Sequence, residues 1–196
     1  MGLYKDLKKI NDSILTTPEN EILHQAAFSS NLKKKVEFIF EVSSHGISKK
    51  RIKGFPINIA AITNISQDHL DFHKTMKNYK NIKYKLFLKY LLNNGIAIIN
   101  DNIDDIGKIK NKLLKKNIKI ITYGKTNSDI NCTLYKKQVR LKIYNKSYLL
   151  KYKIVNTYEL HNLSCAIGCS LAIGLNVSQI LKVIPNITRV KGRMQL

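Results

Sequence analysis

The chain has 196 residues, 44% of them hydrophobic, and carries 34 lysine and arginine residues against 13 aspartate and glutamate residues, a net charge of +21. This length and composition are typical of one globular domain with a real core. No apolar run reaches the roughly 18 to 20 residues of a membrane-spanning helix, and the N-terminal segment lacks the apolar centre of a signal peptide. We therefore expect a soluble, cytoplasmic protein without a membrane partner.

The positive charge by itself indicates a polyanionic partner such as nucleic acid. However, arginine occurs only at positions 51, 140, 189 and 193, and the lysines are spread among Asn, Ile and Tyr, which are residues of AT-rich codons. Arginine is the side chain suited to bidentate contacts with phosphate and guanine. A biased genome therefore accounts for the charge, and we do not expect nucleic-acid binding.

The first predicted elements are one helix and two strands. Thr17 is the predicted N-cap of a helix that begins at Pro18 and runs to about Ser30. The apolar, β-branched runs at 36–40 and 57–63 predict two buried strands.

Alternating helices and strands follow. The three- and four-residue spacing of apolar side chains in MKNYKNIKYKLFLKYLL predicts an amphipathic helix over 76–92, which Asn93-Asn94-Gly95 would end. A strand is predicted at 96–99, a helix at about 104–116 and a further strand at 118–122. Strand, helix and strand in alternation are typical of a parallel sheet with crossover helices.

The last part of the chain changes character. The segments QVRLKIY and SYLLKYKIV, separated by Asn145-Lys146, predict an antiparallel hairpin. A helix is predicted over 159–173, and Ser178 is the predicted cap of a short helix that follows. We therefore predict an α/β fold with a mostly parallel sheet and a small antiparallel hairpin region, one domain over 1–185, and a linker over 186–196.

Polar residues follow the first two predicted strands. Glu41 to His45 come after the first strand, and Asn64 and the segment DHLDFH after the second. Because ligands bind at the carboxyl ends of parallel strands, both groups are candidates for one site. Carboxylates and imidazoles there are suitable ligands for Mg²⁺, Mn²⁺ or Zn²⁺, although residues at strand ends are also common as caps. Gly124-Lys125-Thr126 is not a phosphate-binding loop, because position 119 is lysine where that motif requires glycine.

Several motifs in order carry a family resemblance. EVSSHG, TNISQDHLDFH, the helix with Tyr79 and Lys83, the strand ending IIN, HNLSCAIGCSLAIGL and the final GRM resemble the central ATPase domain of the Mur ligases. The resemblance covers nearly the whole chain. It is nearest to the ligases that add a diamino acid to UDP-N-acetylmuramoyl-L-alanyl-D-glutamate.

The resemblance implies a set of site residues. Glu41 would bind the Mg²⁺ that bridges the ATP phosphates, His69 a second Mg²⁺, and Lys83 would be carbamylated on its side chain. A carbamate carries negative charge and oxygen donors, whereas an ammonium group would repel the metal. The residues implied for the UDP-muramoyl dipeptide are Thr16, Thr17, Ser43, Lys49 and Arg51, and those implied for the nucleotide are Asn64 and Asn162.

The implied reaction is ATP-dependent amide formation through an acyl phosphate, in the synthesis of cell-wall peptidoglycan, by a protein that we expect to be monomeric. The family also has a phosphate-binding loop before the matched segment and further domains on both sides, so we expect this chain alone to be inactive. Three alternatives stay open: a basic binding module, a metallo-hydrolase using Asp68, His69 and His73, and a sister ligase such as folylpolyglutamate synthase.

Overall fold

The computed structural model describes residues 2–5, 8–12, 15–30, 37–136, 138–152 and 156–187. They form two compact units, the first comprising Met1–Asn58 and Ser66–Leu92 and the second comprising Ile59–Ile65 and Asn93–Leu196. Residues 188–196, most of the predicted linker, lie outside the described residues. No helix in the described ranges combines the length and the hydrophobicity that crossing a membrane requires.

The first unit is mainly helical. It opens with an antiparallel pair of short strands, which the sequence analysis did not predict. Its strands and helices are β1 (Gly2–Lys5), β2 (Lys8–Asp12), α1 (Asn20–Ser30), α2 (Ser44–Ser48), α3 (Leu70–His73) and α4 (Met76–Lys85). A π-helical turn, Leu86–Tyr90, follows α4.

The second unit contains most of a six-stranded sheet in the order β3-β4-β5-β6-β7-β8. The strands are β3 (Ile57–Ile62), β4 (Leu91–Asn100), β5 (Lys119–Tyr123), β6 (Ile130–Tyr135), β7 (Gln138–Ile143) and β8 (Lys146–Leu150). The helices are α5 (Ile106–Leu114), α6 (Thr157–Ala172) and α7 (Val177–Val183), followed by a 3-10 turn, Ile184–Asn186.

The sheet confirms the predicted α/β class. β4 and β5 are parallel and joined by the crossover helix α5, whereas β6, β7 and β8 are antiparallel. β5 and β6 pair at a single position, Tyr123 with Ile130. The apolar core of this unit includes the fully buried side chains of Ile98, Val139 and Leu141. The hairpin was predicted correctly, but β6 was not.

Two predictions near the N-terminus are wrong. No strand forms at 37–40, where Ile39 is 90% exposed and Phe38 and Phe40 stack on Phe55 instead. A strand requires a neighbouring strand to satisfy its backbone groups, and among the described residues this segment has none. Helix α1 begins at Asn20 rather than Pro18, because the Thr17 hydroxyl bonds elsewhere.

The predicted helix over 76–92 ends early. The α-helix stops at Lys85, the π-helical turn follows, and Asn93-Asn94-Gly95 lie inside β4 rather than at a helix end. A π turn takes one extra residue per turn and so rotates the side chains after it. Leu86, Phe87 and Leu91 are buried, and this burial outweighs the local preference of Asn and Gly for a cap.

Candidate functional site

A tight turn in the first unit carries the predicted residues Glu41 and Ser43. Ser43 is the N-cap of α2, and its hydroxyl accepts a hydrogen bond from the Gly46 N–H at 3.0 Å. Gly46 is required here, because a Cβ atom would lie 2.7 Å from the Cβ of Thr17. Lys49, which ends α2, is exposed.

Thr17 lies under this turn and is 0% exposed. Its hydroxyl donates to the Glu41 carbonyl oxygen at 3.1 Å and accepts from the Ser43 N–H at 2.8 Å. It is also 3.1 Å from the Ser43 hydroxyl. Of the two adjacent threonines implied for substrate, only Thr16, which is half-buried, offers side-chain surface to a ligand.

Arg51 is buried beside Thr17, with 7% of its surface exposed. One terminal nitrogen donates to the Thr17 carbonyl oxygen at 3.3 Å, and the other forms an ion pair with Glu19 at 3.1 Å. Its Nε is buried and has no hydrogen-bond partner among the described residues. A buried donor without a partner is costly, so this atom is suited to an acceptor that arrives with a ligand.

Three histidine rings of the first unit lie close together. The His45 ring centre is 4.9 Å from that of His69 and 5.6 Å from that of His73. The His73 Nε2 and the Ser44 hydroxyl form a buried hydrogen bond of 2.9 Å, which ties α3 to the start of α2. His69 precedes α3 in a left-handed conformation with φ of 52°, and its backbone N–H donates to the Asp68 carboxylate.

Lys83, the residue predicted to be carbamylated, lies on α4 and is close enough for its charge to act on His73. Its ammonium lies over the Tyr79 ring, 5.1 Å from the centre. Burial lowers the pKa of Lys83, and the negative charges of Asp68 and then Glu41 oppose that shift. Burial and then the Asp68 charge raise the pKa of Tyr79. Lys83 is therefore within electrostatic range of carboxylates from both predicted metal-binding segments.

Burial also lowers the pKa values of His45 and His73. For His45 the next cause is the charge of His69, and for His73 the next causes are the charges of His45 and then His69. These shifts favour the neutral form of each ring, which is the form that can bind a metal or accept a proton. The His73 Nε2 is already hydrogen-bonded to the Ser44 hydroxyl, so this nitrogen links α3 to α2 and is not available as a metal ligand.

Within the described ranges, no three His, Cys, Asp or Glu side chains converge closely enough to enclose a metal ion. This arrangement does not match a zinc site, which takes three or four protein ligands. It fits Mg²⁺, which keeps several waters and is usually bound by one or two carboxylates together with substrate phosphates. On these segments Glu41 offers a carboxylate and His69 an imidazole to such an incomplete set.

In the second unit the predicted nucleotide residues Asn64 and Asn162 are both exposed. Asn162 lies near the start of α6, and Asn64 follows β3. An open cleft of about 800 Å³, which the sequence analysis missed, lies in the same unit and is lined by residues that include Asn102, Lys125 and His161. Its position, beyond the carboxyl ends of the parallel strands β4 and β5, is the signal that could have found it.

The cleft borders the loop that contains Gly124-Lys125-Thr126. Gly124 has φ of +107°, and a Cβ atom there would lie 2.6 Å from the side chains of Asn100 and Asn102. The loop leads into β6 and not into a helix, so it lacks the helix N-terminus of a phosphate-binding loop. This agrees with the exclusion of that motif from the sequence.

The sequence matches the family model described as the Mur ligase middle domain over residues 2–170. It is 37% identical over 161 residues to the UDP-N-acetylmuramoyl-L-alanyl-D-glutamate–2,6-diaminopimelate ligase of Rickettsia montanensis, covering 80% of this chain and 34% of that protein. It is 36% identical over 197 residues to the ligase of the same name from Fusobacterium nucleatum, covering 98% of this chain and 40% of that protein.

Solved structures agree with the sequence match. A structure of a UDP-N-acetylmuramoyl-L-alanyl-D-glutamate–2,6-diaminopimelate ligase has a TM-score of 0.69 and 25% identity, with 79% of this chain and 33% of that chain covered. A crystal structure of MurF from Acinetobacter baumannii has a TM-score of 0.61 and 22% identity, with 70% of this chain and 31% of that chain covered, and it shows likeness of fold alone. The chain therefore spans between a third and two fifths of the length of these relatives.

Proposed function

Because the chain belongs to the Mur ligase middle domain family, we propose that it is the central, ATP-using part of a ligase that adds diaminopimelate to UDP-N-acetylmuramoyl-L-alanyl-D-glutamate in peptidoglycan synthesis. The observation that carries the proposal is the meeting, within one unit, of the Glu41 turn, the Asp68–His69 segment and Lys83. The names of the relatives support diaminopimelate as the added amino acid. We propose that the reaction takes place in the cytoplasm, where ATP and the nucleotide-linked precursor would be available.

We assign Glu41 and His69 to Mg²⁺. The bound ions would offset the charge that develops on the transferred phosphoryl group. The chain contributes the placement of the ligands: Glu41 is anchored through its own carbonyl oxygen, and the His69 backbone is fixed by the Asp68 carboxylate.

We assign Lys83 to carbamylation. Formation of a carbamate requires the neutral amine to attack carbon dioxide and to release one N–H proton to water. Burial of Lys83 shifts its equilibrium towards the neutral amine. The product would present negative oxygen atoms towards the metal-binding region. In the unmodified side chain the ammonium lies 5.1 Å from the centre of the Tyr79 ring, a contact that the negative carbamate would give up.

The UDP-muramoyl dipeptide is an anionic substrate, and we propose that Thr16, Ser43, Lys49 and Arg51 bind it. The free Nε of buried Arg51 supports this role, because it provides one donor that no described residue uses. For the nucleotide we propose Asn64 and Asn162, whose exposed amides belong to the unit that contains the cleft.

The proposed chemistry has two steps. The substrate carboxylate attacks the γ-phosphate of ATP to give an acyl phosphate and ADP, and the amine of diaminopimelate then displaces phosphate to form the amide. Since such transfer depends on positioning and charge, the main task of this chain is to hold two polyanions in line. Its excess of lysine would favour the approach of both.

The test is a ligation assay of the complete gene product with ATP, Mg²⁺, the UDP-muramoyl dipeptide and either diaminopimelate or lysine. We expect the tripeptide product with diaminopimelate, and we expect Lys83→Ala to lose at least about a hundredfold in rate because it removes a metal-site group. Added formate or acetate should partly restore Lys83→Ala by supplying the missing carboxylate. Lys80→Ala, one turn earlier on the same helix, is the matched control and should keep its rate.

Three results would contradict the proposal. If the protein ligated lysine but not diaminopimelate, diaminopimelate would be excluded as the substrate. Full activity of Lys83→Ala would exclude the carbamate. The basic binding module would be favoured if the protein did not ligate and instead bound nucleic acid in a salt-dependent way. Glu41→Ala should then leave that binding unchanged.

A further inference from the structure

Thr17 has no side-chain surface left for a ligand. Its side chain is 0% exposed, and its hydroxyl already serves the Glu41 carbonyl oxygen, the Ser43 N–H and the Ser43 hydroxyl. A hydroxyl group has one donor and two acceptor positions, so these three contacts use its full capacity.

The carbon atoms of Thr17 are also in use. A Cβ atom added to Gly46 would lie 2.7 Å from the Thr17 Cβ and 2.9 Å from its methyl group. The Thr17 side chain therefore fills the space that the missing side chain of Gly46 leaves, and the turn closes on it. Both ends of the turn, Glu41 and Gly46, are thus fixed by one residue.

The backbone of Thr17 is held in turn by Arg51. The Arg51 guanidinium donates to the Thr17 carbonyl oxygen and is paired with Glu19, two residues further along the chain. Asn20 donates to the carbonyl oxygens of Arg51 and Lys53 at 2.9 and 2.8 Å. Thr17 is therefore held at two places: its carbonyl oxygen by Arg51 and its hydroxyl by the turn.

We propose that Thr17 is a positioning residue, which holds the turn from Glu41 to Gly46 so that the Glu41 carboxylate faces its ligand. This inference rests on the proposed function, since Glu41 is there assigned to Mg²⁺. It replaces direct contact between the Thr17 side chain and the substrate, which the sequence resemblance implies, by an action through Glu41.

The test compares two substitutions in the 196-residue chain. Thr17→Val keeps the shape and removes the hydroxyl, whereas Thr17→Ser keeps the hydroxyl and removes the methyl group. We expect Thr17→Val to raise amide hydrogen exchange at Gly46, whose own partner is Ser43, by about ten- to a hundredfold, because a buried turn loses its anchor. Thr17→Ser should stay within about threefold of the unchanged chain.

The second readout is metal binding, with Mn²⁺ as a paramagnetic stand-in for Mg²⁺. We expect Thr17→Val to weaken Mn²⁺ binding by about tenfold and Thr17→Ser to restore it, a rescue that general destabilisation would not give. Thr133→Val makes the same change at an exposed position of β6 and should alter neither measurement. Leu23→Ala removes buried volume from α1 without removing a hydrogen bond, and it corrects for loss of stability in the first unit.

The outcomes separate the inference from the function on which it rests. If Thr17→Val leaves Gly46 exchange and Mn²⁺ binding like those of Thr17→Ser, the positioning role is wrong. If Glu41→Gln does not change Mn²⁺ binding, the metal role of Glu41 fails. Exchange at Gly46 then still decides whether Thr17 holds the turn.

Discussion

In the first unit several of the side chains buried around the candidate site are polar, although Leu23, Ile52 and Phe87 are also buried there, whereas the core of the second unit is mainly apolar. Thr17, Ser44, Arg51 and His73 are all buried and hydrogen-bonded in the first unit. In the second unit the largest fully buried side chains are aliphatic or aromatic, including those of Ile98, Ile130, Leu141 and Tyr123.

The difference separates two tasks. Apolar burial is non-directional and supplies most of the free energy of folding, but it tolerates small displacements. Buried hydrogen bonds add less net stability, yet they fix direction, because a wrong geometry leaves a polar group unpaired. We therefore expect substitutions in the second unit to change mainly stability, and those around the Glu41 turn to change mainly geometry.

The largest effect should come from the core of the sheet. Leu141→Ala removes a fully buried side chain from β7, and we expect a loss of about 2 to 5 kcal/mol in the free energy of unfolding. The matched control is Leu149→Ala on the neighbouring strand, where the side chain is 55% exposed and the change should stay within about 0.5 kcal/mol. Urea denaturation measures both, and equal losses would show that the sheet is not the apolar core of this chain.

The second prediction concerns charge in the same core. Burial raises the pKa of Cys132 from its ordinary value of 9.0 to about 11, and a hydrogen bond with Ser164 opposes the shift. Since the folded state keeps the thiol protonated, its contribution to stability is complete below about pH 9 and is lost as the pH rises towards about 11. The unchanged chain should lose about 2 to 3 kcal/mol over this range relative to Cys132→Ala.

Urea titrations of both proteins at several pH values test this prediction. Taking the difference between the two proteins removes the contributions of tyrosine and lysine side chains, which also ionise in this range. A difference that does not depend on pH would mean that water reaches the Cys132 thiol.

The third prediction concerns the contact between Gly46 and Thr17 in the first unit. Gly46→Ala brings a methyl group against Thr17, and we expect a loss of about 1 to 3 kcal/mol, which Thr17→Gly should make smaller in the double variant. Gly107→Ala is the matched control: nothing lies within 4 Å of the added atom, and alanine favours the helix, so stability should rise by up to about 1 kcal/mol. Strictly additive losses at Gly46 and Thr17 would contradict the contact between them.

Some of these elements could be predicted from the sequence and others could not. The parallel strands β4 and β5 and the hairpin of β7 and β8 follow from local apolar patterns and turn residues, and they were predicted. The segment 37–40 has the same local pattern, but whether it becomes a strand depends on a neighbour that no local rule can supply.

The residues of the candidate site were also only partly predictable from the sequence. Glu41, His69 and Lys83 were named from motifs, and the structure brings them into one unit on separate elements. The position of Thr17 could not be predicted, because its partners are 24 to 26 residues away in sequence and are chosen by packing. The same holds for the bond between His73 and Ser44, which are 29 residues apart.

The smallest predicted effect compares one helix cap in each unit. The Thr75 hydroxyl accepts from the Asn78 N–H at the start of α4, the helix that carries Tyr79 and Lys83, and Asn176 caps α7 in the second unit. Either substitution by alanine should cost about 1 kcal/mol in urea denaturation, since each removes a capping bond to a helix N–H. Asn176→Ala also removes the bond that Asn176 accepts from the exposed Ser178 hydroxyl.

The two variants should differ in the site. Thr75→Ala loosens the first turn of α4, so Lys83 should rest less firmly on Tyr79, and amide exchange over α4 should rise. Asn176→Ala should leave exchange over α4 unchanged at the same loss of stability. If both variants raised exchange over α4 equally, stability and site geometry would be coupled throughout the chain, and the division of tasks between the two units would be wrong.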